Sequence, residues 1–286
     1  MSDTNEILAG LPGLLHQQQE NRKDLPPQLS HYCDLYALQS ILTHNQLWGS
    51  NIRFLNDKQE MDYGINVAKN VMEEILVRGY RGTTGPSPSK RRWQMPNIPD
   101  VYAVCFCREP DLLSQWRGYG SHSQNVSIQF DALNVAVLGF MRSFLLQKVV
   151  YGEDEAIEKL RSELDAIPNL AQQIIQNKTI DTTAEQRNVI LRLSPQFKNE
   201  HFREEQEWRL ISKGDHHEVS YRPRDNVLLP YVKIGFADDT PLPITGITVG
   251  PGKDSELTKK SIEHFLKKNT NYRDVRVDVS KIPFRV

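Results

Sequence analysis

Apolar positions along the chain recur with two periods, about 3.6 and 2, and the change from one to the other marks the elements. Leu29-Ser30-His31-Tyr32-Cys33 reads as a short strand. Asp34 then caps an amphipathic helix carrying Leu35, Leu38, Ile41 and Leu42 at helical spacing. Leu47-Trp48-Gly49-Ser50 is a second short strand. Phe54-Leu55-Asn56-Asp57 turns into a long helix from about Lys58 to Val77, with Ile65, Ala68, Val71, Met72 and Ile75 on one face. Residues 79–99, rich in Gly, Pro and Ser, read as a surface loop. Val101 to Cys107 is almost continuously apolar, as expected of a central strand. Asp111 is placed to cap a short helix through Trp116, which Gly118 and Gly120 bring to a stop. Val126 to Phe130 alternates as a strand does, and Val149-Val150-Tyr151 is another. The stretch 153–199 reads as two or three helices with breaks at Pro168 and Pro195. Strands follow at Glu207 to Ser212, Tyr231 to Phe236 and Ile244 to Val249, then a helix from Ser255 to Lys268 and a strand from Val275 to Val279.

Helices scattered among strands, without βαβ alternation or repeat, predict an α+β fold: mixed or antiparallel central sheets flanked by helices. The expected organisation is a lead-in over residues 1–28 and a single domain over 29–286, with a helical insertion at about 153–199.

Charge narrows the partners. Lys and Arg number 35 against 36 Asp and Glu, a net charge of -1, so no broad field attracts nucleic acid or anionic lipid. Any acceptor of that kind must be held by a local patch, for which Lys90-Arg91-Arg92-Trp93 is the candidate. Mean hydropathy is -0.54, and no apolar run approaches the ~18 residues of a membrane span. The segment Met1 to Gln28 has one apolar stretch, Ile7 to Leu15, but not the basic start and cleavage site of a secretory signal. Three cysteines, Cys33, Cys105 and Cys107, form no disulfide framework and suit a reducing compartment. A cytoplasmic protein without a membrane partner is expected.

The best candidate for chemistry is Glu205-Gln206-Glu207-Trp208-Arg209. On a strand, Gln206, Trp208 and Leu210 share one face, and Glu205, Glu207, Arg209 and Ile211 share the other. Two carboxylates and a guanidinium in line can hold a polar ligand or stabilise developing positive charge, and Arg209 favours the ionised form of Glu207. The bland alternative is a solvated face with an ordinary ion pair. Asp57 and Glu60 have capping-box spacing. Trp116 and Tyr119 share a helical face, as a core pair or a stacking platform. The Cys105 and Cys107 pair has no second pair to complete a zinc site, and no phosphate-binding glycine loop, zinc-protease helix or nucleophile elbow is present.

Taken in order, His31-Tyr32, Phe54-Leu55-Asn56-Asp57 with Glu60, Cys105-Phe106, Trp116 with Tyr119, Glu205 with Glu207-Trp208-Arg209, and Gly250 resemble a widespread bacterial family of unknown function, over about residues 30 to 285. Cys107 stands where that family often has Ser. At longer range the order is similar to that of ADP-ribosyltransferases. That resemblance implies NAD as substrate, with His31 hydrogen-bonding its ribose and Tyr119 or Trp116 flanking the nicotinamide. Glu207 would bind the ribose hydroxyl and stabilise the oxocarbenium-like transition state, and Glu205 would orient the acceptor. Tyr32, Arg209 and Asn56 join the cofactor side. The implied role is a toxin or anti-phage effector modifying nucleic acid or protein. Two other readings stand beside it: a non-catalytic binding or sensor module that docks through the acidic face, and a metal-dependent nuclease using Glu205 and Glu207 with Asp57 or Glu60.

Overall fold

The structure is a computed structural model that describes residues 24–55, 60–80, 98–119, 124–167, 184–224, 226–237 and 240–283, without the side chains of residues 60, 76–80, 119 and 215. In chain order its elements are β1 (Gln28–Asp34), α1 (Leu35–His44), β2 (Leu47–Asn51), α2 (Glu60–Tyr80), β3 (Val101–Cys107), α3 (Leu113–Tyr119), β4 (Asn125–Asp131), α4 (Ala132–Met141), β5 (Leu145–Lys148) and β6 (Val150–Tyr151). They continue with α5 (Glu153–Asp165), α6 (Ala184–Leu193), β7 (Phe197–Lys198), β8 (Glu207–Lys213), β9 (Ser220–Arg224), β10 (Val227–Ile234), β11 (Ile244–Val249), α7 (Ser255–Lys268) and β12 (Arg276–Val279). The class is α+β, with mixed pairing and flanking helices. Among the described residues no helix is long and apolar enough to cross a membrane.

The chain gathers into two compact units. The first joins the residues up to Leu47 with Cys105–Lys148 and Ile234 onward. Its sheet is mixed: β12 runs parallel to β11, β11 antiparallel to β4, β4 antiparallel to β1, and Ser30 of β1 faces Cys107 at the end of β3. Leu29, Phe106, Val126, Ile128, Phe130, Ile247 and Val249 fill its core. Three of its helices start where the side chain of an aspartate accepts a backbone N–H: Asp34 from Ala37, Asp131 from Asn134 and Asp254 from Leu257. Helix α4 has no counterpart in the sequence reading. Its residues are apolar on both faces, so no helical stripe marks it; only the cap at Asp131 does.

The second unit comprises Trp48–Val104 and Val149–Lys233. Here Val67, Ala68, Val71 and Met72 of α2 pack on Ala156, Leu160 and Leu164 of α5, Ile190 and Leu193 of α6, and Phe197 of β7. Each Val, Leu, Ile, Met or Phe side chain among them contributes about 1.5–3 kcal/mol on burial. The contact of α2 is close because Gly64 meets the 3-10 turn Ser194–Gln196: a Cβ there would lie 2.2 Å from the Ser194 carbonyl oxygen. Pro195, expected as a helix break, sits in that turn directly after α6. Strand β9, absent from the sequence reading, pairs antiparallel with β10.

Two expectations need correction at this level. Asp111 does not cap α3; its carboxylate accepts from Trp116 Nε1 at 2.7 Å, Ser280 Oγ at 2.6 Å and the Lys281 amide at 3.0 Å. A triply engaged acceptor in that position gains more than a cap bond would give. Glycine at 118 does not end the helix either, which runs on to Tyr119. The turn expected at Asn56 and Asp57, Pro168, and the Lys90 to Trp93 cluster lie outside the described residues.

Candidate active site

Strand β8 opens at Glu207, and its alternation does not give the solvated face of the bland alternative. Trp208 and Leu210 are buried, as expected, but Glu207 is only 5% exposed and Arg209 is fully enclosed. Strands buried on both faces lose the outward polar row, so period two ceases to report exposure. Glu205 is also not on the strand. It ends a 3-10 turn, Glu200–Glu205, and Gln206 then takes the left-handed conformation at φ 43°. That kink breaks the period, yet it swings Glu205 back beside Glu207.

What joins the two carboxylates is Lys198, on β7. Its Nζ donates to Glu205 Oε2 at 2.6 Å and to Glu207 Oε2 at 2.9 Å, and it lies 4.8 Å from the centre of the Phe202 ring. From the other side Arg209 grips Glu207 with two bonds, Nε to Oε1 at 2.7 Å and Nη2 to Oε2 at 2.8 Å. Arg209 Nη1 donates to the Pro195 carbonyl at 2.9 Å. Two cations and two anions therefore cancel inside a sparsely solvated volume. Such charges stay buried only when paired and hydrogen-bonded. Forked guanidinium geometry fixes the Glu207 carboxylate in orientation as well as in position. Of the four groups Glu205 is the most accessible, with 19% of its side chain exposed against 6% for Glu207.

The backbone is held equally firmly. The Glu207 amide donates to Tyr151 Oη at 2.8 Å, and the Glu207 carbonyl accepts from the Val149 amide at 2.9 Å. Strands β6 and β7 pair in parallel with Tyr151 beside Lys198, which sets the lysine against the turn. Burial pushes the Tyr151 phenol well above its ordinary value, so it remains a neutral hydroxyl. Above it Arg203 donates to the Tyr151 carbonyl, to Glu155 and to Glu200. Those bonds hold the Glu200 carboxyl below the usual carboxylate range. Gly152 at φ 88° leaves room for Glu200 Oε2, which would stand 2.8 Å from a Cβ at that position.

Lys198, Tyr151 and the Pro195 carbonyl escape the sequence reading. No local pattern marks them. Only the requirement that two buried carboxylates find a second cation could have pointed to a lysine, and it could not have chosen which.

His31, Tyr32, Trp116 and Tyr119 belong to the first unit. His31 Nδ1 donates to the Cys105 carbonyl at 2.9 Å, which fixes the ring's tautomer, and the ring tilts against Phe106. Tyr32 is buried, donates to the Glu109 carbonyl at 2.8 Å and accepts from the Leu112 amide at 2.9 Å. It meets Trp116 edge-on at 4.7 Å. Trp116 is 2% exposed and presses on Gly250, where a Cβ would come within 2.7 Å of the ring. Both aromatics are thus core side chains rather than an open platform. Tyr119 closes α3; its side chain, like the whole of Asn56, lies outside the described residues.

Among the described residues no group of three or more His, Cys, Asp or Glu side chains could hold a metal ion. Between Glu205 and Glu207, where a divalent ion would sit in the nuclease reading, stands the Lys198 ammonium. The docking reading loses its exposed acidic face, because Glu207 and Arg209 are buried.

Residues 115–210 match the family described as "Protein of unknown function (DUF2971)". That stretch includes Trp116, Tyr119, Lys198 and the Glu205 to Arg209 block, and stops at Leu210. No curated protein matches the chain. Among solved structures, the chain is similar to the Thermus sp. 2.9 DarT in complex with ADP-ribosylated ssDNA, at 14% identity and a TM-score of 0.35, over 90% of this chain and 95% of that one.

Proposed function

We propose that the protein is an ADP-ribosyltransferase-like enzyme that takes NAD as its substrate, with Glu207 as the catalytic carboxylate. The observation that carries this reading is the fixed setting of Glu207, gripped by Arg209, bridged by Lys198 to Glu205, and held at its backbone by Tyr151. The order of blocks along the chain supports it.

Cleavage of the bond between the ribose and nicotinamide leaves positive charge on the ribose, and the electron pair departs with nicotinamide. A carboxylate already oriented and charged stabilises that transition state more than the ground state and needs no reorganisation. Two flanking cations favour the ionised form of Glu207. Arg209 is a positioning residue in this scheme. Lys198 shifts its weight to Glu205 when substrate arrives, leaving Glu207 Oε2 to the ribose hydroxyl. Glu205, the more accessible carboxylate, then orients the acceptor and takes its proton as the new bond to the ribose forms. The resemblance to ADP-ribosyltransferases gives the ribose contact to His31 and the nicotinamide to Tyr119, and counts Asn56 among the NAD-binding residues. Tyr32 and Trp116 serve as core supports. A nucleic acid or protein is the acceptor, and a toxin or anti-phage role is consistent with such chemistry.

The test is incubation of the purified protein with NAD and cell extract, with release of nicotinamide followed by chromatography. Release is expected, together with a rise in Tm on adding NAD. Glu207→Gln should lower release by about 10²–10³ at a temperature where circular dichroism shows it folded. Absence of both turnover and a Tm shift would end the reading.

A further inference from the structure

One face of the second unit gathers cations and aromatic rings. Along β9 and β10, Arg222 stands opposite Leu229, Arg224 opposite Val227 and Ser220 opposite Tyr231. Opposed residues of an antiparallel pair project to the same side, so Arg222, Arg224, Tyr231 and Lys233 share a face. Strand β2 lies beside β10 and adds Trp48, whose ring centre is 4.7 Å from that of Tyr231 at a tilt of 32°. The Arg222 guanidinium rests over both rings, 5.2 Å from the centre of Trp48 and 5.7 Å from that of Tyr231. Its Nη2 donates to Ser50 Oγ at 3.2 Å. Tyr231 is buried and forms the floor, Trp48, Arg222 and Arg224 are half-buried, and Lys233 is exposed. None of the three strands includes Asp or Glu.

We propose that this face binds single-stranded nucleic acid, with an unpaired base stacked on the Arg222 guanidinium and backbone phosphates taken by Arg224 and Lys233. Charge complementarity names the occupant. A chain of net charge -1 has no general attraction for a polyanion, so binding needs a local surplus of cations, which these strands supply. The rings beneath Arg222 and its bond to Ser50 hold the guanidinium in place, and a held planar cation accepts the π-face of any base. Arg222 and Arg224 are two residues apart on a strand, about 7 Å, which suits successive phosphates of an extended strand better than one small anion. An added peptide strand is a poorer occupant. Among the described residues β9 pairs with β10 alone, and Pro223 removes a donor from β9. Such binding does not depend on cleavage of NAD, so it goes beyond the enzymatic reading and fails separately from it.

The full-length protein is titrated, without NAD, into a labelled single-stranded oligodeoxythymidine, and fluorescence anisotropy is read at several NaCl concentrations. Saturable binding is expected, with log affinity falling against log salt at a slope of about -1 to -2. Arg222→Lys keeps the charge but loses the plane and should weaken binding roughly ten-fold. Lys233→Glu, at an exposed position, should weaken it and flatten the salt slope by roughly one phosphate's share. Circular dichroism checks the folding of each variant, and Lys233→Glu decides alone where Arg222→Lys does not fold. No rise in anisotropy up to about 10⁻⁴ M protein at low salt, equal or tighter binding of a dT·dA duplex, or binding that the folded variants leave unchanged would overturn the proposal.

Discussion

Replacing Glu207 by Gln keeps the shape of the side chain and removes its charge, which makes it the sharpest probe of the cluster on β8. In the native protein the Glu207 oxygens receive three bonds, two from Arg209 and one from Lys198. After the change Lys198 still has Glu205. Arg209 is fully enclosed and is left facing only neutral acceptors among the partners named above, the Pro195 carbonyl and the glutamine amide oxygen. Stranding a buried cation costs about 3–5 kcal/mol. In a chain of this size that lowers Tm by roughly 10 °C. Fluorescence of Trp208, buried on the same strand, reports the unfolding in urea. Glu205→Gln, at the more accessible end, leaves Lys198 its bond to Glu207 and should cost less than Glu207→Gln. Combining Glu207→Leu with Arg209→Met should be milder than the sum of the single changes by about 1–3 kcal/mol, because the double variant leaves no lone charge. A loss below about 1 kcal/mol for Glu207→Gln, or strict additivity of the pair, would refute the coupling and with it the fixed carboxylate.

Three more predictions rest on separate contacts. Tyr151→Phe takes the acceptor from the buried Glu207 amide and should cost about 1–3 kcal/mol in urea unfolding. Gly64→Ala should destabilise by roughly 1–3 kcal/mol despite alanine's better helix propensity, since its Cβ would strike the Ser194 backbone; an unchanged urea midpoint would contradict that close approach. His217, bonded through Nε2 to Ser212 Oγ at 2.7 Å, is held below its ordinary value of 6.5 by burial and by neighbouring His216. The unfolded chain then binds more protons just below pH 6.5, so this contribution is present above that pH and is lost as pH falls through the folded value. Nuclear magnetic resonance of the imidazole should give a midpoint under 6.5, and His217→Gln should flatten the acid side of the stability curve.

Sequence alone determined the elements whose signals are local. Ser255 to Lys268 is helical because its apolar residues recur at helical spacing behind a capping Asp254, and Val101 to Cys107 is a strand because an unbroken apolar run suits a core. The α+β class followed from the order of such segments. Tertiary structure decided what depends on distant neighbours. Helix α4 is apolar on both sides and shows no period, so only its seat on the first unit tells its faces apart. The alternation at Glu205 to Ile211 set Glu205, Glu207, Arg209 and Ile211 in one row, but burial on both sides of β8 and the left-handed turn at Gln206 replaced that row with a largely buried quartet. Lys198 completes that quartet from nine residues before Glu207. Coulombic pairing acts through space, and spacing along a chain does not encode which cation a buried carboxylate will meet.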